Sequence, residues 1–329
     1  MKEIVLDTIK KYNLIDENDK IVCGVSGGPD SICMLDILRR IKEEEIIKFE
    51  IVVAHINHLI REEAVSDEEF VVDYCNRNGI RCYVKRIDVK KYANDTKQGT
   101  EEAGRKVRYE FFDEILKKEN AQKIAIAHNK NDKIETIIMN VLRGSGIQGL
   151  RGIEPKRENI IRPLIEIERQ NIEKYCEEMN LNPRIDKTNF INDCTRNKVR
   201  NIVLPYIKQE FNPNIIKTLD RLSLIITEED EFMKLKTIEI FDKIKIKQEE
   251  NITLDLKKFN LLENVMKKRI IMYSIQKTIG NTQNVDMINV EDIIKLCSNN
   301  IGNKYLTPNK HIKISVGKGQ VMFEKMNFK

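Results

Sequence analysis

Between Val25 and Ser31 the chain reads VSGGPDS, directly after the apolar run Ile21–Val22–Cys23. Two adjacent glycines let the backbone turn tightly and bring its N–H groups against an anion. Pro29 suits the first position of a helix, where its missing N–H costs nothing. The helix N-terminus that would follow favours negative charge. Ser26 and Ser31 add hydroxyls, so Ser26, Gly27, Gly28, Pro29, Asp30 and Ser31 together read as a cradle for nucleotide phosphates. Asp30 is the odd member. A carboxylate repels phosphate unless a cation lies between them, so Mg²⁺ is the expected companion and Asp30 its ligand. The lysine of the G-x-x-x-x-G-K-[ST] loop, which reaches the β- and γ-phosphates, is missing.

Five further stretches carry groups that could act on a bound nucleotide. AHINHLIREEA holds His55, Asn57, His58 and Arg61; an H-x-x-H pair without a nearby third ligand reads as pocket lining rather than zinc. TEEAGRKVRYEFF places Glu101, Arg105, Arg108 and Tyr109 on one helical face. Alone, Glu101–Arg105 would be a solvated pair worth ~0.3 kcal/mol, but arginines there could also neutralise charge building on phosphate oxygens. AHNKNDKIETIIMNVLRGSGIQGLRGI sets His128 at a strand end, Asp132, Glu135 and Thr136 in the first helical turns, and then Arg143, Gly144, Ser145 and Gly146. Finally IIRPLIEIERQNIEKY and DKTNFINDCTRNKVRNIVLP contain Arg162–Pro163–Leu164, Asp186, Thr188, Asn189, Arg196, Asn197 and Arg200. Read alone, the last is an ordinary basic surface stretch.

These groups need a scaffold, and the first half of the chain supplies its pattern. Apolar β-rich runs (KIVCGVS, FEIVVAHI, IRCYVKRI, QKIAIAH) alternate with helical stretches. One of these stretches is expected to close on Gly79 as a C-cap and another to open on Thr100 as an N-cap. Alternation at this spacing predicts a parallel, doubly wound sheet covered on both faces. Ligands of such sheets sit beyond the carboxyl ends of the strands, where the motifs above fall. The pattern changes near Asn212–Pro213–Asn214. The expected division is a catalytic domain over 1–212, a long helical linker over 213–248, and a smaller, mostly helical basic domain over 249–329.

Composition narrows the class. With 329 residues, 41% hydrophobic and 33% charged, the chain reads as globular and large enough for two cores. Its seven cysteines form no C-x-x-C pair, so neither a zinc site nor a disulfide framework is expected. No signal-peptide core or membrane-length apolar run appears, and a cytoplasmic location without membrane contact is expected. Of the net charge of +5, the stretch from Glu231 to Lys329 carries +7 (18 Lys+Arg, 11 Asp+Glu), leaving −2 for the rest. A basic C-terminal part suits a polyanionic partner.

The string SGGPDS resembles the SGG-x-DS loop of the N-type ATP pyrophosphatases, the PP-loop family, which shares the adenine nucleotide alpha-hydrolase-like fold. Those enzymes bind the pyrophosphate end of ATP and cleave between the α- and β-phosphates. Within that group, the His55–Arg61 stretch, the Glu101–Tyr109 helix, Arg162–Pro163–Leu164, Asp186–Asn189 and Arg196–Arg200 resemble signatures of the tRNA(Ile)-lysidine synthases. Together the matches span residues 21 to 205. One departure is Asn131–Asp132, where two adjacent acids are usual; Asp132 matches the second. The resemblance implies ATP-dependent joining of free L-lysine to C2 of the wobble cytidine in the CAU anticodon of tRNA(Ile), through an adenylated cytidine. Decoding would shift from AUG to AUA, with ATP and Mg²⁺ required and a homodimer allowed. Expected catalytic residues are Asp30, Asp132, Arg105, Arg108 and His128. The ATP site is expected to comprise the loop with His55, Asn57 and His58. The tRNA and lysine sites are expected at Arg143, Gly144, Ser145, Gly146, Asp186, Asn189, Arg196, Asn197 and Arg200. The competing expectations are a PP-loop enzyme that thiolates tRNA and a non-catalytic tRNA-binding protein.

Overall fold

The computed structural model describes residues 1–59, 64–184, 192–248, 251–299 and 304–326. It divides into two compact units, Met1–Ile226 and Thr227–Lys329. The boundary falls inside the stretch expected to be a linker.

In the first unit the elements run α1 (Lys2–Tyr12), β1 (Asp19–Gly24), α2 (Pro29–Glu43), β2 (Phe49–Asn57), α3 (Ala64–Arg77), β3 (Arg81–Arg86), α4 (Val89–Thr96), α5 (Thr100–Lys118), β4 (Lys123–Ile126), α6 (Lys130–Leu142), α7 (Ile147–Leu150), β5 (Lys156–Arg157), β6 (Ile160–Ile161), α8 (Arg169–Glu178), α9 (Thr195–Lys198), a π-helical turn (Val199–Val203) and α10 (Leu204–Glu210). The long helix α11 (Ile215–Ile244) follows. The sheet order is β3-β2-β1-β4-β6-β5, parallel throughout except for β5. Strand order reverses between β1 and β4, so the loops leaving those two strands flank a topological switch point.

Side-chain alternation along the strands builds three layers. Ile21 and Cys23 of β1 face one core, with Val5 and Ile9 of α1, most of α2, Val71 and Cys75 of α3, and Ile172 and Cys176 of α8. Val22, with Val52 and Ile124, faces the other, against Phe111, Phe112 and Ile115 of α5. β1 therefore has apolar residues on both faces, which is why it reads as an unbroken apolar run. Gly24 ends it for a packing reason: a Cβ there would lie 2.4 Å from Phe112 Cζ.

α3 ends as expected on Gly79, in the left-handed region at φ 63°. Its N–H bonds to Asn76 O and that of Ile80 to Cys75 O. At α5 the expectation is off by one. The N-cap is extended Gly99, with no side-chain cap, and Thr100 is the first helical residue.

The second unit takes the C-terminal part of α11, then β7 (Lys245–Gln248), β8 (Ile252–Asp255), α12 (Leu256–Asn260), α13 (Asn264–Ile279), α14 (Met287–Asn299), β9 (Lys304–Asn309), β10 (Ile312–Gly317) and β11 (Gln320–Lys325). Its helices are joined by a five-stranded sheet, ordered β7-β8-β11-β10-β9 and antiparallel. Ile312, Ile314, Val316, Val321 and Phe323 pack from the sheet against Phe241, Ile270, Ile271, Ile275 and Ile293. β7 and β9 show no clean apolar alternation in the sequence. Among the described residues, no helix is long and apolar enough to cross a membrane.

Candidate active site

A cavity of about 500 Å³ opens at the switch point, in the size range of small-molecule sites. Its wall includes Ser26, Gly28, Pro29, Asp30 and Ser31, His55, Asn57 and His58 from the end of β2, Arg108 from α5, His128 after β4, Asp132 from α6, and Arg200.

The loop is shaped by its own groups. Gly27 takes φ 92°, a conformation that strains any side chain. Ser31 Oγ accepts from the Ser26 N–H at 3.1 Å and donates to Gly28 O at 3.0 Å. Gly27 O accepts from the Arg184 N–H at 2.9 Å. Helix α2 then starts at Pro29 with no side-chain cap, so its first N–H groups remain for a ligand.

Asp30 sits in that first turn. Asn129, the N-cap of α6, donates to Asp30 Oδ1 at 2.8 Å. Among the described residues, Oδ2 has no hydrogen-bond donor. Burial, then the nearby Asp132 charge, raises the Asp30 carboxyl to about 6. A cation beside Oδ2 would relieve both. No cluster of three His, Cys, Asp or Glu able to hold a metal exists among the described residues. A Mg²⁺ held by Asp30 would fill its remaining positions from phosphate oxygens and water, as that ion commonly does.

The histidines are kept neutral. His55 Nδ1 lies 2.8 Å from Val25 O, while its Nε2 is buried without a partner among the described residues. Burial lowers its pKa. His58 is pushed to about 4 by burial, then by Arg108 and His55. His128 is likewise pushed to about 4, with burial first, Arg162, Arg196 and Arg108 adding, and Asp132 opposing. Arg162 Nε donates to His128 Nδ1 at 3.0 Å. Arg108 is exposed by area, yet its guanidinium is crowded and its pKa falls, through desolvation first. It stays charged at any working pH.

Beside Asp30 lies a closed set of charges, of which Asp132 and Arg200 line the cavity. Asp132 Oδ2 accepts from the Asn129 N–H at 3.0 Å, completing a capping box. Asp132 Oδ1 accepts from Arg169 and Arg200, each at 3.0 Å. Glu135, only 1% exposed, takes Arg200 Nε at 2.7 Å and Nη2 at 2.8 Å. Two carboxylates and two guanidiniums thus neutralise one another.

Not every expected residue reaches the cavity. Arg105 is exposed and stacks over the Tyr109 ring at 5.3 Å, outside the wall. Arg143, Gly144, Ser145 and Gly146 are exposed at the far end of α6, also outside it. Arg196 and Asn197 do not line it, although the Arg196 charge bears on His128. Asn57 lines it but spends its side chain internally, on Ala64 O, Glu68 and the Leu59 N–H. Arg61, Asp186, Thr188 and Asn189 lie outside the described residues. Conversely, Asn129, Arg169 and Arg184 matter and were not singled out. Asn129 had a signal, the N-x-x-D spacing of a capping box. Arg169 and Arg184 had none, since their partners are distant in sequence.

A PP-loop domain model matches residues 1–207. The tRNA(Ile)-lysidine synthase of Clostridioides difficile (strain 630) is 44% identical over 311 residues, covering 94% of this chain and 67% of that protein. The chain belongs to the tRNA(Ile)-lysidine synthase family. A second synthase of the family, from Caldanaerobacter subterraneus subsp. tengcongensis, is 43% identical over 90% of this chain and 63% of its own length. The chain thus spans about two thirds of the length of these relatives. Among solved structures, the U34-tRNA thiolase NcsA from Methanococcus maripaludis, with its [4Fe-4S] cluster, superposes with a TM-score of 0.56 at 20% identity. The match covers 69% of this chain and 79% of that one, a likeness of fold alone.

Proposed function

We propose that the chain joins free L-lysine to C2 of the wobble cytidine in a CAU-anticodon tRNA(Ile), consuming ATP and releasing AMP and pyrophosphate. The observation that carries this reading is the cavity itself. An uncapped helix start, a glycine in a left-handed turn and the buried Asp30 carboxyl meet neutral imidazoles and an arginine at the switch point, in a chain whose relatives carry that enzyme name.

The cytosine C2 oxygen is a poor leaving group until it bears AMP. The loop N–H groups and the start of α2 would receive the pyrophosphate end of ATP, placing the α-phosphate toward Arg108 and His128. Asp30 would hold a Mg²⁺, whose charge offsets that of the phosphates. Attack by the cytidine oxygen on the α-phosphate releases pyrophosphate. The ε-amine of lysine then attacks C2 and AMP departs. A free amine with pKa ~10.4 must first lose a proton, and Asp132 and Arg200, which line the cavity, carry the two signs of charge that an amino acid would recognise. The basic second unit would contact tRNA phosphates, giving affinity that falls with salt.

The thiolation alternative finds no support in the site: among the described residues, no cysteine lines the cavity. The test supplies the unaltered chain with Mg-ATP, a CAU-anticodon isoleucine tRNA and either labelled lysine or a sulfur donor. The expected result is lysine incorporation with AMP and pyrophosphate, and none with methionine tRNAs that share the anticodon. ADP and orthophosphate, or sulfur incorporation, would overturn the reading; retention of tRNA without product would leave a binding protein.

A further inference from the structure

We propose that Arg162 is a positioning residue that locks His128 as a neutral imidazole with its one proton on Nε2, presenting the cavity with a fixed, uncharged N–H donor for a nucleotide phosphate oxygen. The catalytic role rests on the adenylation reading above; the lock itself does not.

The argument starts from hydrogen-bond valence. A guanidinium carries only donors, so the 3.0 Å contact from Arg162 Nε requires a lone pair on His128 Nδ1. A neutral imidazole that accepts at Nδ1 must carry its proton on Nε2. Arg162 is well placed to enforce this. It is 4% exposed, and its Nη1 donates to Glu154 O at 2.6 Å while its own N–H is held by Pro155 O at 2.9 Å. Tyr109 of α5 bears on it electrostatically. The guanidinium is therefore anchored on the side away from the histidine and cannot swing off.

The other edge of His128 is left open. The residue lines the cavity, and its Nε2 is neither among the buried unpartnered atoms nor bonded to a described residue. The charged groups that bear on the ring are Arg162 after β6, Arg108 of α5, Arg196 of α9 and Asp132 of α6. Three cations against one acid oppose a second proton. Without the lock the ring would sample the Nδ1–H tautomer, which turns a lone pair toward the phosphate oxygens. It would also sample the imidazolium. The lock removes both, so the donor needs no reorganisation as charge develops on the phosphate.

The experiment uses the full chain with ¹⁵N-labelled histidine rings. The chain has four histidines, and a His128→Asn variant assigns the relevant signals. Long-range ¹H–¹⁵N spectra of the unaltered chain should show His128 neutral and protonated on Nε2 from pH 8 down to pH 5. In Arg162→Met and Arg162→Lys, His128 should become a tautomer mixture that takes up its second proton at a higher pH than in the unaltered chain, with burial still opposing the imidazolium. Their kcat for lysine incorporation should fall about 100-fold, with the KM for ATP changed less than about threefold. A proton on Nδ1, or an imidazolium at pH 7, in the unaltered chain would overturn the lock, and that spectrum decides even if the variants fail to fold. Unchanged tautomer and kcat in a folded Arg162→Met would overturn it as well. Absence of lysine incorporation by the unaltered chain would count against the proposed function instead.

Discussion

The two walls of the cavity are built on opposite principles. Around the loop, polar groups are left wanting: α2 has no side-chain cap and, among the described residues, Asp30 Oδ2 has no donor and the buried His55 Nε2 has no partner. Beside it, Asp132 and Arg200 line the cavity and, with Glu135 and Arg169, which do not, satisfy one another before any ligand arrives. An unsatisfied wall stores free energy that a ligand can release. A saturated wall is rigid and selective, because a ligand must compete with bonds already made. The contrast suggests that the loop side grips the nucleotide, while the charged side admits only a ligand able to replace one of its members.

The largest expected effect tests the first wall. Asp30→Ala should lower lysine incorporation by ~10³ or more, about 4 kcal/mol of transition-state stabilisation. Retention of tRNA on a filter should be unchanged, since a single loop carboxylate does not contact the RNA in the proposed arrangement. Full activity in this variant would remove Asp30 from the phosphate site. The second wall should answer with stability. Removing one member of a buried charged set strands its partners, at a cost of about 3 kcal/mol. Glu135→Leu should therefore lower the melting temperature of the first unit by ~6–12 °C. The double variant Glu135→Leu with Arg200→Leu should lose less than Glu135→Leu alone, because fewer charges are left uncompensated. A double variant that loses more than the sum of the singles would mean that the four charges are not one network.

The first wall was the more legible of the two in the sequence. The loop lies within six consecutive residues, and β1 and β2 announce themselves as β-branched runs because both faces of a parallel sheet are buried. The second wall was half hidden. Asp132, Glu135 and Arg200 stood in recognisable stretches, but the bonds that join them reach 65 and 68 residues along the chain, and no local spacing encodes such a pairing. Arg169 was passed over for the same reason. Arg105 shows the converse failure. Its spacing from Arg108 is helical, yet three residues around a helix turn the side chain far enough to lay it on Tyr109 rather than in the cavity. Short strands escaped as well, since β5 and β6 have two residues each and no period can be read from two.

The smallest expected effect sharpens the contrast most directly, because it asks whether the first wall is held at a cost. The Asp30 carboxyl stands at about 6 in the folded chain against an ordinary 3.8, through burial first and Asp132 second. A carboxyl raised on folding contributes stability that is fully present below 3.8 and lost as pH rises through about 6. At pH 7.5 the ionised group is therefore a burden, worth about 1–2 kcal/mol once its partial access to solvent is allowed for. Asp30→Asn keeps the shape and can still accept from Asn129, but cannot ionise. In EDTA at pH 7.5 it should unfold at higher urea than the unaltered chain, and the gain should shrink toward zero near pH 4. Added Mg²⁺ should narrow the gap by stabilising only the chain that retains the carboxylate. A variant no more stable at pH 7.5 would mean that Asp30 is already satisfied, and the two walls would then differ in composition but not in principle.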